Sequence, residues 1–280
     1  IIGNVINFCL NAFFLFVLHK GVAGVATATV ISRIINLVIV VLLGAVLVKA
    51  KQHPERESNR AVMGQIIRIG LPSACETAIY NVSMTLVIRF LNQMDAQGLN
   101  VTARSYTMQI TNFSYCVGAA LAQANAIMTG WHIGAKEYDA CDRGTKKAAV
   151  IGVIVAVILE TVFTLCSGWI MQLFSKDPQM VSLVGKLLAI DIVLEIGRVT
   201  NLVYGQALKT SGDAVFPVVM GACFMILCSV GGTYLFGIRL GLLAVGAYIG
   251  MTGDECVRAV GMYLRWKSGK WKEKGLVKSR

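Results

Sequence analysis

Charge is scarce in this sequence. Only 15% of its residues are Asp, Glu, Lys or Arg, where a soluble domain carries about a quarter. With 56% of residues apolar and a mean hydropathy of +0.67, that deficit excludes an ordinary soluble enzyme. It excludes intrinsic disorder as well, which needs low hydrophobicity. Histidine is nearly absent: His19, His53 and His132 fall in loops or at the ends of apolar runs, and no H-E-x-x-H pair occurs, so the ligands of that zinc hydrolase motif are missing. There is no G-x-x-x-x-G-K-[ST] phosphate loop and no G-x-S-x-G elbow, which leaves no built-in ATP hydrolysis and no serine hydrolase site. None of the eight cysteines lies in a C-x-x-C. Seven sit in apolar stretches and read as small buried hydrophobes, not as disulfides or metal ligands. No enzyme activity and no cofactor is expected. The chain opens Ile1-Ile2-Gly3-Asn4 without a basic leader, so the start is not a signal peptide. It reads as a fragment lacking the N-terminal part of a longer protein.

What is present is a series of long apolar runs. A membrane helix takes roughly 20 predominantly apolar residues, and eight such segments run over 1–18, 24–48, 66–91, 101–129, 150–174, 181–208, 216–237 and 241–264. The expected fold is an all-α polytopic membrane protein. Asp177-Pro178 has the form of a helix cap followed by proline at the first helical position. Asp213 is expected to cap the seventh segment, and Pro72 lies inside the third. Residues 131–147 are polar with aromatic anchors and read as a short interfacial helix.

The basic residues alternate between loops. Lys49, Lys51, Arg56 and Arg60, then Lys136, Arg143, Lys146 and Lys147, then Lys209, and seven more after residue 264 make sixteen on one side, against Lys20, Lys176 and Arg239 on the other. The excess of Lys and Arg marks the cytoplasmic side. Both ends are therefore expected in the cytoplasm, and the +11 net charge is orientation chemistry, with no nucleic acid as partner.

The first and last hairpins resemble each other at an offset of 220: Leu15, Phe16, Gly21 and Val25 match Leu235, Phe236, Gly241 and Val245. Both would start in the cytoplasm, so the repeat is parallel, one plan of secondary transporters. It implies twelve spans in two halves of six, of which this chain holds the last eight. The domains are then 1–48 (the last two helices of an N-terminal lobe), 49–65 (a cytoplasmic linker), 66–264 (a six-helix C-terminal lobe) and 265–280 (a basic tail).

Ionisable groups inside the bilayer cost several kcal/mol, and each is a functional-site candidate. Glu76, Glu160 and Asp191 each lie about 10 residues into their segments, roughly 15 Å deep at 1.5 Å per residue. Glu195 and Arg198 follow Asp191 at i+4 and i+7 on one helix face. The four carboxylates are the candidates for cation or proton coupling and for substrate contact, with Na⁺ at Glu76, Asp191 and Glu195 as the metal option. Arg198, Tyr80, Asn81 and Asn201 are candidate positioning residues. Asp254 and Arg258 are expected to pair at i,i+4.

The residues also resemble a known family, the multidrug and toxic compound extrusion (MATE) antiporters. The resemblance is carried by Gly21-Val22-Ala23-Gly24-Val25-Ala26 with Ser32-Arg33, Gly70-Leu71-Pro72-Ser73 with Glu76, and Gly134-Ala135-Lys136-Glu137-Tyr138-Asp139. It continues in Glu195-Ile196-Gly197-Arg198 with Asn201, Gly212-Asp213 with Phe216-Pro217, and Arg265-Trp266-Lys267. It implies a 12-helix fold of two six-helix lobes around a cavity. It also implies export of small organic cations driven by Na⁺ or H⁺, with acids on the first and fourth helices of the C-terminal lobe, where Glu76 and Asp191 or Glu195 stand. The implied setting is a bacterial inner membrane and the implied state a monomer. The alternative is a flippase for a lipid-linked oligosaccharide, built on the same repeat, whose pocket would be basic.

Overall fold

A computed structural model describes residues 2–49, 59–95 and 97–273. Most of the charged linker and the tail from 274 onward, with their lysines and arginines, lie outside the described residues. Every regular element among the described residues is helical. Helix α1 (Ile2–Ala12) winds on as a wider π-type coil over Phe13–Val17, and α2 covers Gly21–Lys49. Then come α3 (Asn59–Met94), α4 (Leu99–Gly134), α5 (Tyr138–Leu165), the short α6 (Ser167–Met171) and α7 (Pro178–Thr210). Helix α8 (Val215–Phe224) continues in π-type segments, Met225–Val230 and Thr233–Arg239, and α9 (Leu243–Lys267) ends in a 3-10 turn, Lys270–Glu273. Among the described residues three stretches, Gly21–Val46, Tyr138–Leu165 and Val215–Arg239, are long and apolar enough to cross a membrane by length and composition alone.

The helices overrun the apolar runs, because hydropathy reads the thickness of a bilayer and not where hydrogen bonding stops. Residues 131–147 are not a separate interfacial helix: α4 continues to Gly134 and α5 begins at Tyr138. The tight reversal between them is made by Lys136 at φ +61°. The fifth apolar run in turn conceals a break at Cys166, after which α6 starts. Asp177 caps α7 as expected, its Oδ1 accepting from the Gln179 N–H at 3.0 Å. Asp213 stands one residue before the capping position of α8 and accepts from Arg265 Nε at 2.7 Å. Five of the eight cysteines are exposed on helix surfaces and only Cys141 is buried. An apolar stretch does not say which of its faces looks outward.

The described residues form two compact units, Ile1–Ala61 and Val62–Arg280. The first is the α1–α2 hairpin, tied by Asn7 Nδ2 donating to Ser32 Oγ at 2.9 Å. Its turn recurs in the second unit. Phe13 O accepts from Leu18 N, Phe14 O from Lys20 N and Lys20 O from Gly24 N. Leu235 O accepts from Leu240 N, Phe236 O from Leu242 N and Leu242 O from Gly246 N. His19 and Gly21 have positive φ, as do Gly241 and Leu243. Every one of these pairs is offset by 222, so the register of 220 read from the sequence is two residues off. Matching Leu and Phe in outward-facing helices carries little register information. The hydrogen bonds of the turn carry it all, and they align Phe14 with Phe236 and Gly24 with Gly246.

In the second unit α7 is the central rod, packed by α4, α5 and α9. Its core is in two parts. One apolar cluster gathers Leu187, Leu188 and Leu194 with Val87, Ile110 and Tyr248. The other gathers Val199, Val203 and Leu208 with Ala149, Met262 and Trp266. The two γ-methyls of Val199 lie where Gly118 of α4 and Gly152 of α5 have no side chain, within 2.8 and 2.7 Å of the Cβ either would carry. The stretch of α7 from Asp191 to Arg198 falls where these clusters meet. The opposite face of α5, with Ile151, Ile154, Ile158 and Leu165, is exposed, as expected of a lipid-facing surface.

Candidate functional site

At the junction of the two clusters lie three carboxylates. Asp191 and Glu195 are one turn apart on α7, and Glu160 comes from α5. Glu160 and Glu195 are 0% exposed and Asp191 is 2%, and one carboxylate oxygen of each lies within 4.8 Å of the others. Both oxygens of Glu160, Oδ2 of Asp191 and Oε2 of Glu195 have no hydrogen-bond partner. Ser114 of α4, itself fully buried, is set against Glu160. Buried carboxylates without donors are expensive unless a proton or cation joins them, and oxygen-only ligands suit hard cations. The residues present therefore fit a small cation or a shared proton.

Beside this trio opens a cavity of about 530 Å³. Arg198 reaches both. Its Nη1 donates to Glu195 Oε1, its Nε is 3.9 Å from Glu255 Oε1, and its guanidinium lies 6.0 Å from the Tyr115 ring centre. Close approach of α7 and α9 makes this possible. A Cβ on Gly197 would come within 2.9 Å of the backbone at Glu255 and Cys256, so only glycine fits there. Glu255 Oε2 also accepts from Asn201 at 3.0 Å, and its Oε1 pairs with Arg258 at 2.8 Å. Arg258 holds Asp254 through two N–H bonds of 2.9 and 3.0 Å, and Ser229 donates to the same carboxylate at 2.9 Å. Across the cavity Lys209 Nζ meets Glu76 Oε2 at 2.5 Å.

The structure thus separates the four acids proposed from the sequence. Glu160, not Glu76, joins Asp191 and Glu195. Glu76, Tyr80, Asn81, Asn201 and Arg198 line the cavity. Sequence reasoning missed Lys209, taken for a loop cation, and did not bring Glu255 and Arg258 to this place. A usable signal existed for Lys209: Arg198, Asn201, Gly205 and Lys209 follow at i, i+3, i+7 and i+11, one face of α7. For Glu255 there was none, since it meets Asn201 across 54 residues.

Residues 72–235 match the MatE family model. This chain belongs to the MatE family. It is 33% identical over 280 residues to the uncharacterized transporter YisQ of Bacillus subtilis (strain 168), covering 98% of this chain and 61% of that protein. It is 22% identical to human multidrug and toxin extrusion protein 2, over 90% of this chain and 42% of that one. The crystal structure of the eukaryotic MATE transporter AtDTX14 superimposes with a TM-score of 0.84 at 18% identity, over 97% of this chain and 61% of that one. The chain therefore spans about 40–60% of the length of these relatives. The fold is the helical MATE fold, and the MatE chain is a multi-pass membrane protein.

Proposed function

We propose that the protein is a secondary antiporter that exchanges a small organic cation, held in the 530 Å³ cavity, for a proton or Na⁺ taken up by Glu160, Asp191 and Glu195. The observation that carries this reading is the set of four unpartnered, fully buried carboxylate oxygens, joined by one arginine to a polar cavity. A scaffold gains nothing from such a cost, whereas a coupling site needs groups whose stability depends on an incoming ion. Glu76 and Glu255 supply the cavity with acceptors for a cationic solute. The inward excess of Lys and Arg supports cytoplasmic ends and a bacterial inner-membrane setting, and no second copy is invoked. The alternative, a flippase for a lipid-linked oligosaccharide, gains support from Arg198, Lys209 and Arg258 in the cavity, which suit a pyrophosphate.

The test uses the full-length protein in proteoliposomes with ethidium and no ATP, under a Na⁺ gradient and then a proton gradient. Ethidium movement driven by one gradient and lost in Glu160→Gln and Asp191→Asn supports antiport and names the ion. Movement under neither gradient, with transbilayer transfer of a polyprenyl pyrophosphate, overturns it in favour of the flippase.

A further inference from the structure

Arg198 stands between the trio and the cavity, and its surroundings give it two places to rest. One is Glu195, which it contacts through Nη1. The other is Glu255, whose Oε1 is 3.9 Å from Arg198 Nε, about 1 Å beyond an ordinary charge-assisted hydrogen bond. The Arg198 side chain is 20% exposed and lines the cavity, while Glu195 is 0% exposed. Both carboxylates are thus within reach of one side chain.

The charges around it are few enough to count. On the trio side face Glu160 from α5 with Asp191 and Glu195 from α7. On the cavity side are Glu76 from α3, Lys209 from α7, and Asp254, Glu255 and Arg258 from α9. The neutral phenols of Tyr80 from α3 and Tyr115 from α4 also line the cavity, and that of Tyr248 from α9 lies near Asp191 and Arg198. While Arg198 is neutralised by Glu195, the cavity wall, with Asp254 buried behind Arg258, holds three acids against two cations and attracts a cation. An ion arriving at the trio competes for the Glu195 carboxylate. Once Glu195 is protonated or bound to Na⁺, the guanidinium has a better partner in Glu255, and the charges of the cavity wall and of Asp254 behind it balance.

We propose that Arg198 is the positioning residue that couples the two sites: ion uptake at Glu195 hands its guanidinium to Glu255, and the added positive charge discharges a cation from the cavity. This rests on the reading of the trio as the ion site and the cavity as the solute site. It makes exchange a consequence of one side chain with two carboxylates, and it requires reciprocity, since a bound cation must weaken ion uptake by the same factor.

The experiment measures ethidium binding to the full-length protein by fluorescence anisotropy across a Na⁺ and pH series, with ion uptake followed separately by ²²Na⁺ binding and by proton uptake in weak buffer. In the wild type, the ion weakens ethidium binding by a factor in the roughly 5- to 150-fold range of coupled sites. In Arg198→Gln, whatever its own affinity for either ligand, that factor falls below about 2, and Arg198→Lys restores part of it. Glu255→Gln, which removes the second resting place and leaves the trio untouched, also reduces the factor. A wild-type factor in both Arg198→Gln and Glu255→Gln, with ion uptake intact, overturns the switch and leaves the antiport reading standing. Absence of ion uptake in the wild type, or uptake unchanged in Glu160→Gln and Asp191→Asn, overturns the reading on which it rests.

Discussion

Replacing Gly246 by alanine should damage the protein, and replacing Gly253 on the same helix should not. A Cβ on Gly246 would lie 2.4 Å from the Phe236 carbonyl carbon, 2.5 Å from its oxygen and 2.6 Å from the Gly237 nitrogen. All three are backbone atoms, so no side chain can turn aside. Carbon atoms pack best at about 3.5–4.0 Å, so α9 must move away from the Thr233–Arg239 segment by about 1 Å. That movement loosens Ala244, Ala247 and Tyr248, which are buried in the same cluster. Overpacking of this kind costs about 1–3 kcal/mol, and the backbone character of the contact argues for the upper part of that range. At Gly253 a Cβ would meet nothing within 4 Å, so only the gain in helix propensity remains, up to about 1 kcal/mol. The two variants should therefore differ by about 2–4 kcal/mol, with a melting-temperature difference of about 4–16 °C at the 2–4 °C per kcal/mol of a domain this size. The assay is a tryptophan-fluorescence melt of the full-length protein in detergent, all samples scanned at one rate. If Gly246→Ala melts at or above Gly253→Ala, the close backbone crossing is not there and the reasoning fails.

Three further outcomes follow from named contacts. Glu160→Gln replaces an acid crowded by Asp191 and Glu195 by a neutral group of the same shape, and should raise the melting temperature by about 2–8 °C (about 1–2 kcal/mol) while abolishing ion-driven exchange. A lower melting temperature would mean that the carboxylate is held by something the geometry does not include. Trp271 is 2% exposed, stacks on Trp266 at 4.2 Å and donates to the Trp266 carbonyl at 3.0 Å. Trp271→Ala should free the chain after Ser268 and speed tryptic cleavage at Lys270 and Lys272 without melting the helices, and an unchanged cleavage rate would refute it. Asp95, in the loop between α3 and α4, accepts from the Leu99 and Asn100 N–H groups at 2.9 and 3.0 Å. Burial works to raise the Asp95 pKa, but the hydrogen bonds from Asn100 and Leu99 outweigh it and hold the carboxyl below its usual range. A carboxylate with a lowered folded pKa adds stability above its unfolded pKa of about 3.9 and loses it as pH falls through the folded value. Asp95→Ala should therefore cost about 0.5–2 kcal/mol near neutral pH, and the gap to wild type should close below about pH 4. A gap that stays constant from pH 7 to pH 3 would assign the effect to packing.

Among the described residues the long helices were legible because each apolar run is long enough to identify itself without knowledge of its neighbours. The capping of α7 by Asp177 was legible for the same reason: the signal and its partner, Gln179, are two residues apart. The site was legible residue by residue and not as a grouping. Depth along a helix placed Glu76, Glu160 and Asp191 at one level, but depth says nothing about azimuth, and Glu76 faces Lys209 across the cavity instead of the trio. The Gly246-x-x-x-Gly250 spacing stood in the sequence as a marker of close helix approach. Its partners, the backbone at Phe236 and Gly237 for Gly246 and at Cys228 and Gly232 for Gly250, lie in a stretch of mostly π-type winding that no apolar periodicity announces.

The position of the polar layer explains why it can work at all. On α7 the apolar contacts stop at Leu194 and resume at Val199, and Glu195 and Arg198 fill the gap, with Asp191 one turn before. Were these residues only glue between helices, neutral hydrogen-bonding side chains would serve at far lower cost, because a buried ion pair seldom outperforms a well-packed apolar substitute. Three acids against one arginine is a worse arrangement still for a scaffold, and it is held rigid by Val199 in its two glycine notches and by Gly197 against α9. Rigid packing on both sides denies the acids the option of swinging into the cavity for solvation. In the antiport reading proposed above, their deficit of positive charge is met by an ion that comes and goes. The element free to respond is Arg198, which is partly exposed and has a second carboxylate 3.9 Å away. A frustrated charge layer between two well-packed clusters concentrates the response to an ion in one side chain, and that is the physical requirement for coupling two sites through a bundle whose helices stay packed.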